Sequence, residues 1–137
     1  MSIRKNILSV IEFVPKVITE ILNELQKEIF ISEQDAIDLR LILEEAATNA
    51  IQHGNHFNTS LKVRIVLEND KDMITIRVQD KGSGFDYHNL PNIKEINEQM
   101  NSSGRGIFLI KKLADSVTFN ESGSEICICK KIHRRKG

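Results

Sequence analysis

Two apolar periods divide this chain, and their order restricts what it can fold into. Val14, Val17, Ile18, Ile21, Leu22, Leu25 and Ile29 recur at helical spacing. Pro15 falls in the first turn of that stretch, where its missing N–H is not needed. A second helical stretch opens at Ser32, where Ser-Glu-Gln-Asp supplies a cap and early acids, and runs to about Gln52. The period then drops to two. Leu61, Val63, Ile65 and Leu67 alternate with polar residues, with Val66 as an exception, and Ile74, Ile76 and Val78 do the same. Asn69-Asp70-Lys71 is the expected hairpin link. Amphipathic helices followed by one-sided strands are stable when the helices cover the apolar face of the sheet. The expected fold is an α+β two-layer sandwich, a mixed, mainly antiparallel sheet with helices on one face. It also has a short first strand at 2–8, closing strands at 116–121 and 125–132, and a helix from Gly106 to about Ala114. Residues 81–103 are turn-rich, with a short helix near 92–99.

The length, 137 residues, fits one domain with its own core, expected over 1–137 with the core at about 5–132. Hydrophobic residues are 40% and the formal net charge is zero, so nothing global points to nucleic acid or a membrane surface. The basic run 130–137 is short, lacks interleaved aromatic residues and reads as a solvated tail. Neither a spanning segment nor a signal peptide is expected. Cys127 and Cys129 sit two apart, a poor geometry for bonding each other. They read as two small buried hydrophobes in a reducing compartment, which makes the protein cytoplasmic.

The second helix carries more than a core face. In LEEAATNAIQHGN, residues 43–55, the residues Leu39, Ile42, Leu43, Ala46 and Ala50 form one apolar stripe at about 100° per residue. Glu45, Asn49 and Gln52 or His53 form a second stripe on its flank. Ala46, Ala47 and Ala50 keep the surface low, so other groups can approach. Taken alone, this flank also describes an ordinary surface helix. His-Gly-Asn ends it, with Gly54 suited to a left-handed cap.

Two glycine-rich segments follow. In VQDKGSGFD, Asp80 shares parity with Ile74, Ile76 and Val78, so its carboxylate points to the buried side. An acid there needs a partner or a ligand donor. Gly82 and Gly84 allow a sharp turn and close approach by something flat. In SSGRGIFLIKKLAD, Gly104 and Gly106 flank Arg105 before a helix, a combination suited to an anion. Each segment has a plain reading as a turn or a helix cap. The ordered set, ExxxNxxxHG on a helix, DxGxG at a strand end and GRG at a helix start, is unlikely to arise by chance.

That set resembles the GHKL ATPase superfamily with its Bergerat nucleotide-binding fold. LEEAATNAIQHG resembles the N box, DKGSG the first glycine box and SSGRGIFLI the second. Within the superfamily the chain is similar to the anti-sigma-factor serine/threonine kinases, over about residues 5–132. The resemblance implies a site for ATP and Mg²⁺. Asn49 would hold the Mg²⁺ that bridges the phosphates, and Asp80 would accept the exocyclic amine of adenine. Gly82 and Gly84 would shape the adenine pocket, while Gly104, Arg105 and Gly106 would cap the β- and γ-phosphates. Glu45 would be the general base, and His53 would approach the phosphates. Ser124 is the candidate for a contribution from the final hairpin.

None of His53, His56, His88 or His133 precedes the N-box helix, and the segment before it is too short for a helical phosphoacceptor domain. The phosphate is therefore expected to go to another protein. The resemblance implies an anti-anti-sigma (STAS-type) partner modified on Ser or Thr, a sigma factor that is sequestered, and a homodimer. The alternative is an ATP-gated partner switch with little or no kinase activity, or with a target other than a sigma factor.

Overall fold

The computed structural model describes residues 1–81 and 102–133, the side chains of 102–105 excepted. Strand β1 covers Ser2–Leu8, and a single 3-10 turn, Ile11–Phe13, leads into α1, Val14–Glu28. Helix α2 covers Glu33–Asn49 and continues as a π-helical turn, Ala50–Gly54. Strands β2 (Lys62–Asp70) and β3 (Met73–Gln79) form a hairpin. Helix α3, Ser102–Leu113, is followed by β4 (Ser116–Phe119) and β5 (Glu125–Lys131).

The strands form one sheet in the order β1-β2-β3-β5-β4, and every described pairing is antiparallel. The period of two places Val63, Ile65, Leu67, Ile74, Ile76 and Val78 on one face, fully or almost fully buried. Ile18, Ile21 and Leu25 of α1, Leu39, Ile42 and Leu43 of α2, and Ile107 and Ile110 of α3 cover that face. Helix α2 is the shared neighbour of α1 and α3 and also reaches β3. Its flanks therefore border both other helices and the strand ends beneath. Ser32 caps it, its hydroxyl accepting the Asp35 N–H at 3.1 Å, and Glu33 and Asp35 sit in the positive first turn. The two-layer α+β architecture is thus the expected one, with an entirely antiparallel sheet among the described residues.

Several local expectations change. The β2–β3 link is tighter than Asn69-Asp70-Lys71: Asp70 pairs with Met73, and Lys71 turns the chain with φ 56°. Helix α3 opens at Ser102 rather than Gly106, so its two glycines lie inside the helix. Gly54 is not a left-handed cap. At this helix end the left-handed residues are His56 (φ 49°) and Phe57 (φ 60°), and the Asn55 N–H reaches back to the Ala50 carbonyl at 2.8 Å, closing a wide turn. Cys127 and Cys129 are half-buried rather than core residues, because Ile126 and Ile128 take the inner face of β5.

The basic run does not start as a solvated tail either. The alternation of β5 carries Lys130 to the inner side, where its ammonium donates to the Leu113 carbonyl at 3.0 Å and lies 3.5 Å from Asp38. Ile132 is buried, and the His133 N–H donates to Asp35 at 2.6 Å. Acids from the first turns of α2 thus fix the end of β5. Residues 134–137 lie outside the described residues, as do the short helix expected near 92–99 and the loop positions 86–101.

Candidate functional site

The flank of α2 that carries Glu45 and Asn49 faces two glycines, and both approaches are close. A Cβ built on Gly106 would lie 2.7 Å from Glu45 Oε2, so the Glu45 carboxylate rests directly against the backbone of α3. Glycine inside a helix costs about 1 kcal/mol relative to alanine. Here the missing side chain makes room for the end of Glu45. Gly104 and Arg105 fall in the first turn of α3, whose leading N–H groups have no partners within the helix. Gly106 comes after that turn. The structure therefore joins the second glycine box to the N-box helix through Gly106 and Glu45.

One turn further along α2, Asn49 is 7% exposed. Its Oδ1 is buried and has no hydrogen-bond partner among the described residues. A buried amide oxygen normally finds a donor. An oxygen left open this way suits a hard cation or a ligand donor, which is the chemistry Mg²⁺ requires. His53, in the π-helical turn, shows the same pattern, its Nε2 being buried without a partner among the described residues. Burial holds the His53 pKa below the ordinary histidine value, and neighbouring His56 adds to the effect. His53 is thus biased toward the neutral imidazole.

Asp80 follows β3 and is 5% exposed, on the inner side that its parity requires. It packs against Gly54, where a Cβ would fall 2.6 Å from Asp80 Cβ and collide with the carboxylate itself. The Asp80 N–H donates to the Ser124 carbonyl at 2.9 Å. The next N–H, that of Lys81, donates to Asn55 Oδ1 at 2.8 Å. The final hairpin therefore does reach this corner, through the backbone of Ser124.

Of the expected residues, Glu45 meets Gly106, and Asp80 packs on Gly54, which was expected only as a helix cap; the α2 flank that carries Asn49 and His53 joins the two places. Gly82 and Gly84 lie outside the described residues, and of Arg105 only the backbone is described. Two contributors, Gly54 and Asn55, read in sequence only as a helix terminator. The parity of Asp80 signalled only that its carboxylate turns inward; that Gly54 is the residue it packs against is visible only in the structure.

Comparison with known proteins identifies the family. A family model described as a histidine kinase-like ATPase domain matches residues 11–130. Serine-protein kinase RsbW of Staphylococcus aureus strains JH9 and Newman is 34% identical over 110 residues, covering 74% of this chain and 69% of the relative. The same protein from strain MSSA476 matches to the same extent. Among the described residues, no helix is long and apolar enough to cross a membrane. Motifs, architecture and relatives agree: this chain belongs to the histidine kinase-like (GHKL) ATPase family.

Proposed function

We propose that the protein is an ATP-dependent serine/threonine protein kinase that acts as an anti-sigma factor. It phosphorylates an anti-anti-sigma partner and, when that partner is modified, holds a sigma factor. One observation carries the kinase reading: a buried amide oxygen without a partner among the described residues, Asn49 Oδ1, stands one helical turn from a carboxylate seated against a glycine-box backbone. The RsbW relatives are named as serine-protein kinases, which supports the same chemistry.

The residues divide the work as follows. Asp80 accepts the exocyclic amine of adenine, with Gly82 and Gly84 shaping the pocket. Gly104, Arg105 and Gly106 surround the terminal phosphates, with His53 close by. Asn49 would hold Mg²⁺, which would neutralise phosphate charge. A substrate hydroxyl attacks the γ-phosphorus of ATP. The new O–P bond forms as the β,γ-bridging P–O bond breaks, ADP leaves with that electron pair, and Glu45 takes the hydroxyl proton. The protein works as a homodimer, as the family resemblance implies, in the cytoplasm, the reducing compartment that its two unpaired cysteines suit.

The test adds purified protein and labelled Mg-ATP to a lysate of the source cells, with Glu45→Ala as control. The expected result is label on Ser or Thr of one small protein with the wild type only. ATP-induced stabilisation without any labelled protein would overturn the kinase reading in favour of an ATP-gated switch.

A further inference from the structure

Asn55 is 1% exposed and uses its whole side-chain amide. Its Nδ2 donates to Ser9 Oγ at 3.0 Å and to the Lys62 carbonyl at 3.3 Å, and its Oδ1 accepts the Lys81 N–H at 2.8 Å. Ser9 is itself anchored, its hydroxyl donating to the Leu61 carbonyl at 2.7 Å. Asn55 thus connects three places: the end of β1, the start of β2, and the peptide that follows Asp80. Its own backbone is held by the π-helical turn through the Ala50 carbonyl.

The consequence falls on Asp80. The N–H of Asp80 is held from one side by Ser124, and the N–H of the next residue is held from the other by Asn55. Gly54, adjacent to Asn55 in sequence, lies under the carboxylate. Two fixed peptide N–H groups and one packed surface leave the Asp80 backbone little freedom where the strand runs out. A carboxylate that reads one donor group by hydrogen bonding needs such a fixed base, because hydrogen bonds weaken steeply with misdirection.

We infer that Asn55 is a positioning residue for base recognition: through the Lys81 N–H it aims Asp80, and so sets preference for a 6-amino purine over a 6-oxo purine. The inference rests on the reading of Asp80 as the acceptor of the adenine amine. Asn55 touches no nucleotide in this scheme, so its loss acts on selectivity and leaves phosphate binding in place.

The test measures binding of Mg-ATP and Mg-ITP, the latter carrying a 6-oxo purine, to wild type, Asn55→Ala and Ser9→Ala. Wild type is expected to prefer ATP. Asn55→Ala is expected to weaken ATP about tenfold, the scale of one misdirected hydrogen bond, with ITP binding unchanged. Ser9→Ala removes one anchor of the Asn55 amide and is expected to narrow the same ratio by a smaller factor. It also keeps the test open if Asn55→Ala does not fold. Equal weakening of both nucleotides, or a wild-type ratio in folded variants, overturns the inference. Absence of any preference in the wild type overturns the Asp80 reading first and is thereby told apart from failure of the Asn55 role.

Discussion

The Asp80 carboxylate rests on the bare Cα of Gly54, at a point where the last turn of the N-box helix crosses the end of β3. Helix propensity favours alanine over glycine by about 1 kcal/mol, and no positive φ opposes the change at this position. A Gly54→Ala variant would therefore be stabilised if local preference decided the matter. The built Cβ falls on Asp80 Cβ and carboxylate, buried atoms that cannot swing away like the end of a long side chain. Gly54→Ala is expected to lose about 1–3 kcal/mol in urea denaturation, the range for overpacking. It is also expected to lose most of its affinity for Mg-ATP in calorimetry.

Gly106 is the informative contrast. The atom in the way of its Cβ is Glu45 Oε2, the far end of a flexible side chain. Gly106→Ala should fold with stability equal to or above wild type, since the helix gains and Glu45 can turn aside. Phosphoryl transfer should nevertheless fall, because the displaced carboxylate is the proposed base. Glu45→Ala sets the limit, a loss of about 10²–10⁴ in single-turnover rate with nucleotide binding retained. Gly106→Ala is expected between that limit and wild type. A wild-type transfer rate in Gly106→Ala would show that the placement of Glu45 against this glycine has no part in the chemistry.

Much of this was legible in the residues. The change of period from 3.6 to two marked which segments are helices and which are strands, and Asp80 pointed inward because it continued the parity of Ile74, Ile76 and Val78. What sequence could not supply were facts that depend on a distant neighbour. Gly54 looks like a terminator because glycine ends helices by local rules, and only the approach of Asp80 from β3 reveals a spacing role. Lys130 looks solvated, and the backbone at His133 free, because both residues are basic and near the end. Only the position of Asp35 and Asp38 above β5 explains why they are held. Gly106 looks like a helix start for the same local reason, while α3 begins four residues earlier.

Asn49 invites a test that separates fold from function. Its Oδ1 is buried with no partner among the described residues, and such a group opposes folding rather than supporting it. Asn49→Ala is therefore expected to change the stability of the nucleotide-free protein little. The stabilisation by Mg-ATP should disappear. For a ligand at 100 times its dissociation constant that stabilisation is about 2.7 kcal/mol, large enough to read in thermal melts. A variant that still gains wild-type stabilisation from Mg-ATP would exclude Asn49 from the metal and phosphate site.

His53 gives the fold a pH dependence whose sign follows from its burial. Desolvation, reinforced by His56, lowers its pKa in the folded state below the ordinary value of about 6.5. The unfolded chain therefore takes up a proton first as pH falls. Through that range the unfolded state binds more protons than the folded one, so stability decreases with decreasing pH. The decrease begins near the ordinary histidine pKa and ends once pH has passed below the depressed folded value. Above about pH 7.5 both states are neutral at this residue and the contribution is flat. His53→Gln retains a polar side chain without a titrating group. It should remove this part of the slope in urea midpoints as pH falls from about 7.5 through the ordinary histidine value, leaving the dependence from other groups. A wild-type slope in His53→Gln would mean that the imidazole is solvated well enough to protonate alike in both states, and would argue against its proposed place beside the phosphates.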